Sequence, residues 1–111
     1  MVNLKQGSII MTTFDPQIGH EQSGYRPAVV ISNNFLNNYC NVVIVCPITN
    51  SDNHFPLHVK LDSRTKTTGV VLCEHPRSLD VNKRKYKYIE MLPKDLLKEV
   101  IDVTFSEIDI N

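Results

Sequence analysis

Apolar and β-branched residues recur along the chain in short bursts, at residues 9–14, 28–31, 42–48, 57–61 and 70–73, and the stretches between them are rich in Gly, Pro, Asn, Asp and Ser. Val, Ile and Thr suit the pleated, half-buried surface of a sheet, whereas the intervening residues suit turns. The spacing predicts short strands in a compact barrel or sandwich. Within residues 57–61, Leu57, Val59 and Leu61 alternate with His58 and Lys60, which predicts a strand with one face turned to solvent. Residues 42–46, Val-Val-Ile-Val-Cys, are apolar at every position, which predicts a central strand or one at a subunit contact.

After Pro93 the period changes. Leu96, Leu97, Val100, Ile101, Phe105 and Ile108 follow three- and four-residue spacing, with Lys94, Asp95, Lys98, Glu99 and Asp102 on the other side, so a single helix is predicted to close the domain. Pro93 suits the first turn and Asp95 the positive amino end, although Leu92 is a poor cap. The Asn-rich stretch 33–41 carries Phe35 and Leu36 and predicts a short helical turn, and the polar stretches 50–55 and 63–68 are candidate mobile loops.

With 111 residues the chain is read as one domain over 1–111, large enough for a single modest core. Twelve basic and twelve acidic residues give a formal net charge of zero, so no global field attracts nucleic acid and any such contact needs a local patch. The basic run is Lys83, Arg84, Lys85 and Lys87, interleaved with Tyr86 and Tyr88; with Arg77 it suits a phosphate backbone with stacked bases, or equally a solvated edge strand guarded by lysines. Cys40, Cys46 and Cys73 are odd in number and two of them sit in apolar runs, which reads as reduced, buried thiols. No stretch has the apolar core of a signal peptide or the length of a membrane span, and a cytoplasmic protein is expected. A metal site is not expected: His54 and His58 flank Pro56 and a strand, and Cys46, Cys73 and His75 lack ligand spacing.

Residues 19–32, Gly-His-Glu-Gln-Ser-Gly-Tyr-Arg-Pro-Ala-Val-Val-Ile-Ser, set a charged segment hinged by Gly19 and Gly24 directly against an apolar strand. Pro27 pushes Arg26 into an extended conformation at the entry to that strand, so the guanidinium is aimed from a rigid base. Unaided, an Arg and a Glu flanking such a turn read equally as an ion pair between Arg26 and Glu21.

The segment resembles the MazF/PemK toxin family, whose signature is G-x-E-Q-x-G-x-R-P followed by an apolar strand. Further blocks match in order: Gly7-Ser8-Ile9-Ile10 with Phe14-Asp15-Pro16, then Cys46-Pro47-Ile48-Thr49, then Thr68 through Asp80 with Cys73-Glu74-His75-Pro76-Arg77. The Gly-His-Glu-Gln and Cys-acid-x-Pro-Arg elements are similar to the PemK (Kid) branch. The resemblance implies a mainly β domain with a C-terminal helix, a small SH3-like β-barrel of six or seven strands, working as a homodimer. It also implies a toxin of a toxin-antitoxin pair that arrests growth by cutting single-stranded mRNA without a cofactor, through 2'-OH attack that leaves a 2',3'-cyclic phosphate and a 5'-OH.

Such cleavage needs a base, a cation for the phosphorane charge and a proton for the leaving oxygen. Arg26 matches the family's Arg, to which the resemblance gives a general-acid role; its planar fork suits phosphate and its reluctance to give up a proton favours charge stabilisation instead. The resemblance assigns Thr49 to a phosphate oxygen, Glu74 to the base, His20 to proton transfer and Glu21 to a second carboxylate candidate. Gln22, His75, Arg77, Lys83, Arg84 and Tyr86 are expected to contact RNA. The implied partner is a cognate antitoxin with a disordered acidic tail. Ser8, His75 and Leu72 depart from the family pattern, Leu72 replacing an Arg of the PemK branch. Two other readings stand beside this one, a CcdB-like gyrase poison on the same barrel and an RNA-binding relative without cleavage.

Overall fold

The strand at Val42–Thr49 organises the molecule, because six of its eight residues are buried and it carries partners along both edges. In the computed structural model, which describes residues 4–14, 24–51 and 54–111, the elements are β1 (Ser8–Thr13), β2 (Tyr25–Val30), α1 (Asn34–Tyr39), β3 (Val42–Thr49), β4 (His58–Lys60), β5 (Val70–Leu72), β6 (Arg77–Asp80), β7 (Tyr86–Met91) and α2 (Lys94–Ser106). Every strand pair is antiparallel, in the order β4-β5-β3-β2-β1-β7. The second edge of β3 is shared: β6 pairs with residues 42–45, and β5 with Ile48 and Thr49.

Alternation along the strands gives the sheet two buried faces. Ile9, Val29, Cys46, Ile48, Val59, Leu61, Val71 and Cys73 pack with Leu92 and with Leu96 and Val100 of α2. Ile10, Ala28, Val30, Val43, Val45 and Leu79 pack with Leu4, Phe14 and Val81 on the other side. Each fully buried Val, Leu or Ile contributes about 1.5–3 kcal/mol relative to exposure, so neither face can be lost. The central position expected of residues 42–46, the seven strands and the single closing helix follow from this arrangement.

Some elements differ from the sequence expectation. Arg77–Asp80 forms a strand although only Leu79 in it is apolar, because β3 offers it a free edge. Tyr86–Met91 is an end strand of the sheet with Lys87 between two tyrosines, the lysine-guarded edge anticipated as one of two readings. Strand β2 begins at Tyr25, ahead of Pro27; its ladder to β3 starts only at Ala28, beyond the proline that has no N–H to give. Helix α2 is capped at Pro93 without a side-chain bond and ends at Ser106, so Ile108 lies past it and is exposed. The helical turn at 33–41 is present as α1, with the Asn33 side chain accepting from the Leu36 N–H.

The loop 63–68, a candidate mobile loop by composition, is tied down. Its Arg64 guanidinium bonds both Asp62 and Asp95, linking it to the first turn of α2. The Glu90 carboxylate on β7 accepts from the Lys66 N–H, the Thr67 N–H and the Thr67 hydroxyl at 2.9–3.1 Å. Strands β4 and β7 end the sheet on opposite sides, so this one side chain joins the β4–β5 hairpin to the far edge and draws the sheet toward a barrel. Partial burial opposes the Glu90 charge, but the three hydrogen bonds outweigh it and hold the carboxyl below its ordinary range.

Replacing Glu90 with Gln keeps the shape but turns an amide N–H₂ toward either the Lys66 N–H or the Thr67 donors, and should cost about 1–3 kcal/mol in urea unfolding. Because the folded-state pKa of Glu90 lies below the unfolded one, its stabilisation is present above the ordinary glutamate range and is lost as pH falls through the depressed value. Unfolding midpoints measured on descending pH should therefore show a smaller acid-dependent loss in Glu90→Gln than in the wild type.

Candidate functional site

The strand registers set two groups of three residues level, one across β7, β1 and β2 and one across β3, β5 and β4. Tyr86 lies opposite Thr12, Thr12 opposite Arg26, Thr49 opposite Val70, and Val70 opposite Lys60. The β2–β3 register pairs Ala28 with Pro47, Val29 with Cys46 and Val30 with Val45, so Arg26 and Thr49 extend from the same end of this ladder, each two residues beyond its last pair. Thr49 is 7% exposed, and its Oγ1 accepts from the Ser51 N–H at 3.1 Å, which leaves the hydroxyl proton to be donated outward.

Gly69 is what lets β5 approach Thr49 so closely. It adopts φ +115°, and a Cβ there would fall 2.3 Å from the Thr49 carbonyl oxygen. The chain beyond it, Val70–Leu72, then runs beside Thr49.

One row further along the hairpin, His58 is paired with Leu72, and the His58 Nε2 meets Glu74 Oε2 at 2.8 Å. Glu74 therefore belongs to the hairpin side of the Thr49 face, in the turn closed by the His75 N–H to the Leu72 carbonyl. His58, expected to face solvent beside Lys60, instead has a side chain only 6% exposed, because the turn after β5 folds over it. His75 is one-third exposed, its Nε2 3.8 Å from Glu74 Oε2. Glu74 Oε1 is the buried polar side-chain atom left without a hydrogen-bond partner among the described residues. Glu107, just past α2, has its carboxyl pushed above the ordinary range by burial and then by the Glu74 charge. Burial raises the thiols of Cys46 and Cys73 to about 12, which leaves both protonated and unreactive at neutral pH.

The expected RNA contacts fall in several places. Arg77 Nη1 donates to the Phe14 carbonyl at 3.3 Å with its guanidinium over the Phe14 ring, and Arg84 Nη1 donates to the Thr13 carbonyl at 2.9 Å. Both brace the end of β1, where Phe14 N–H also bonds the Gly24 carbonyl and closes the base of the connection to β2. Lys83 ends a short 3-10 turn, and Tyr86 is 39% exposed on β7. His20, Glu21 and Gln22 lie outside the described residues. Among the described residues no group of three or more His, Cys, Asp and Glu side chains is arranged to hold a metal ion. The sequence reading missed His58 and Glu107, whose partner Glu74 is distant in the chain; the only local signal was a histidine in a three-residue apolar alternation.

Residues 5–103 match the model of a family described as the PemK-like, MazF-like toxin of type II toxin-antitoxin systems. The chain belongs to this family. It is 33% identical over 103 residues to the endoribonuclease PemK of Escherichia coli, across 89% of this chain and 77% of that one. The crystal structure of MazF from Deinococcus radiodurans superposes with a TM-score of 0.90 at 34% identity, over 96% of this chain and 97% of that one. A MazE–MazF structure from the same organism matches with a TM-score of 0.83 at 34% identity, over 97% of both chains. The family fold, an antiparallel sheet with a C-terminal helix, is thus the fold described above, and the matched region contains Arg26, Thr49 and Glu74.

Gly69→Ala should move the end of β3 as well as strain its own backbone. We expect a loss of more than about 1 kcal/mol in unfolding free energy, larger than for Ala in a permissive turn. Chemical-shift perturbation in a two-dimensional amide spectrum should centre on Thr49, Asn50 and Ser51.

Proposed function

We propose that this chain is the toxin of a toxin-antitoxin pair and cleaves single-stranded RNA in the cytoplasm without a metal ion. The observation that carries the reading is that Arg26 and Thr49, a cation and a hydroxyl donor, extend from the same end of the β2–β3 ladder. A phosphate seated there meets a guanidinium fork and an outward O–H, the pair needed to hold charge as a phosphorane forms.

Glu74 takes the proton of the ribose 2'-OH. The O2'–P bond forms as the P–O5' bond breaks, giving a 2',3'-cyclic phosphate, and the departing O5' is protonated by His20. Support for Glu74 is its partnerless, buried Oε1, an acceptor with nothing yet to accept from. Leu72 and Val70 lie between Glu74 and the Arg26–Thr49 pair, so the ribose end of a nucleotide rests at the turn and its phosphate reaches back toward Thr49. Tyr86, level with Arg26 across β1, suits a stacked base, and Lys60 and Lys83 suit flanking phosphates. An acidic, disordered antitoxin tail laid along this face would cover Arg26, and one solved relative is a MazE–MazF complex.

The homodimer implied by the family is supported by an apolar groove of about 400 Å³ lined by Ile31, Leu36, Ile44, Ile101, Phe105 and Ile108, where Phe105 and Ile108 remain 61% and 72% exposed. A second copy seated there would bury both.

Incubation with single-stranded RNA in EDTA, followed by end mapping, should give cyclic-phosphate ends. Arg26→Ala should lower kcat by roughly 10²–10³-fold and Glu74→Gln by roughly 10²–10⁴-fold, with Glu21→Gln within about tenfold of the wild type. Intact RNA at saturating protein, or full activity in Arg26→Ala, would overturn the reading. For the assembly, Phe105→Asp should elute as a monomer in light-scattering chromatography while the wild type elutes as a dimer.

A further inference from the structure

We propose that His58 is a positioning residue that holds one oxygen of Glu74 and so fixes the carboxylate in a single rotamer for proton transfer, an inference that rests on Glu74 being the proton acceptor. A glutamate has three rotatable side-chain bonds, and at the crest of a turn it would spread over many rotamers, few of them reactive. Here Oε2 is pinned at 2.8 Å by an imidazole whose own side chain is 6% exposed and fixed in β4. The unpinned Oε1 is buried and has no partner among the described residues. A carboxylate with one oxygen bonded and the other shielded yet unsatisfied is costly in a fold that serves only stability, since such an atom forfeits its hydration.

The surroundings restrict what else the pair can do. Glu74 is faced by His75 from the following turn and by Glu107 from the end of α2, with the Cys46 and Cys73 thiols near by. Both thiols stay protonated, so neither supplies charge or a competing strong acceptor. Nε2 of His58 must be the donor to an ionised Glu74, which fixes the imidazole as the Nε2–H tautomer or the imidazolium. A purely structural ion pair between the β4–β5 hairpin and its turn is the competing account. It predicts a loss of stability upon substitution but no selective loss in the chemical step.

The experiment compares His58→Leu, which fills space without donating, and His58→Gln, whose amide N–H restores a donor. Each is assayed in the full chain with the same single-stranded RNA, at a temperature where thermal unfolding shows it folded. We expect His58→Leu to lower kcat roughly 10- to 100-fold, part of the 10²–10⁴ that a placed base contributes, with KM within about twofold. His58→Gln should recover kcat to within about fivefold of the wild type. Wild-type kcat in His58→Leu, equal losses in both variants, or a change confined to KM would each overturn the positioning role. Glu74→Gln separates this from the underlying reading: if it is slow while His58→Leu is not, only the His58 role fails. If Glu74→Gln cleaves like the wild type, the base assignment fails and the His58 role with it.

Discussion

Everything that brings chemistry together in this domain depends on how β3 is held. A strand buried along most of its length cannot slip by one residue without turning Val43, Val45, Cys46 and Ile48 to the wrong faces, so its register is set by two cores at once. That register carries outward to β2 on one edge and to β5 on the other. Arg26 and Thr49 leave the same end of the β2–β3 ladder because that ladder is locked in the interior, two residues away from the charge and the hydroxyl themselves.

The same constraint explains why the hairpin end of the sheet tolerates an unpartnered carboxylate oxygen. Gly69 brings β5 against the Thr49 carbonyl, and the hairpin it belongs to is pinned by Glu90 on one side and by the Arg64–Asp95 contact to α2 on the other. A hairpin whose loop is tied twice can present a turn with a partly satisfied carboxylate without collapsing around it. At the end of α2 the Glu107 carboxyl is held above its ordinary range by burial and then by the Glu74 charge. The arginines Arg77 and Arg84 spend part of their bonding capacity on the carbonyls of Thr13 and Phe14, so they shape the mouth of the β1–β2 connection as well as charging it.

Much of this was legible in the residues. Five of the seven strands announced themselves by β-branched runs, and α2 by its three- and four-residue period. Arg77–Asp80 did not, because a strand with one apolar residue is created by the vacancy beside β3 and not by its own propensity. The loop 63–68 looked free because its composition is polar, but its polar atoms are consumed by Glu90, Asp62 and Asp95, two of which are remote in sequence. The same holds for His58. Alternation with Lys60 put it on the outer face correctly, yet the turn carrying Glu74 covers that face, and no local pattern encodes which loop folds over which strand.

The sequence by itself determined the kinds of elements, the family and the residue types available for phosphate chemistry, since periodicity and ordered motifs are local and survive without coordinates. The tertiary structure alone decided that Arg26 and Thr49 extend from the same end of one ladder, that Glu74 is leashed to His58, and that the edges of the sheet are joined through one carboxylate. These are consequences of strand register and hairpin packing between residues far apart in the chain. Contacts of that range are chosen by the burial of whole faces, a property that no short stretch of residues carries.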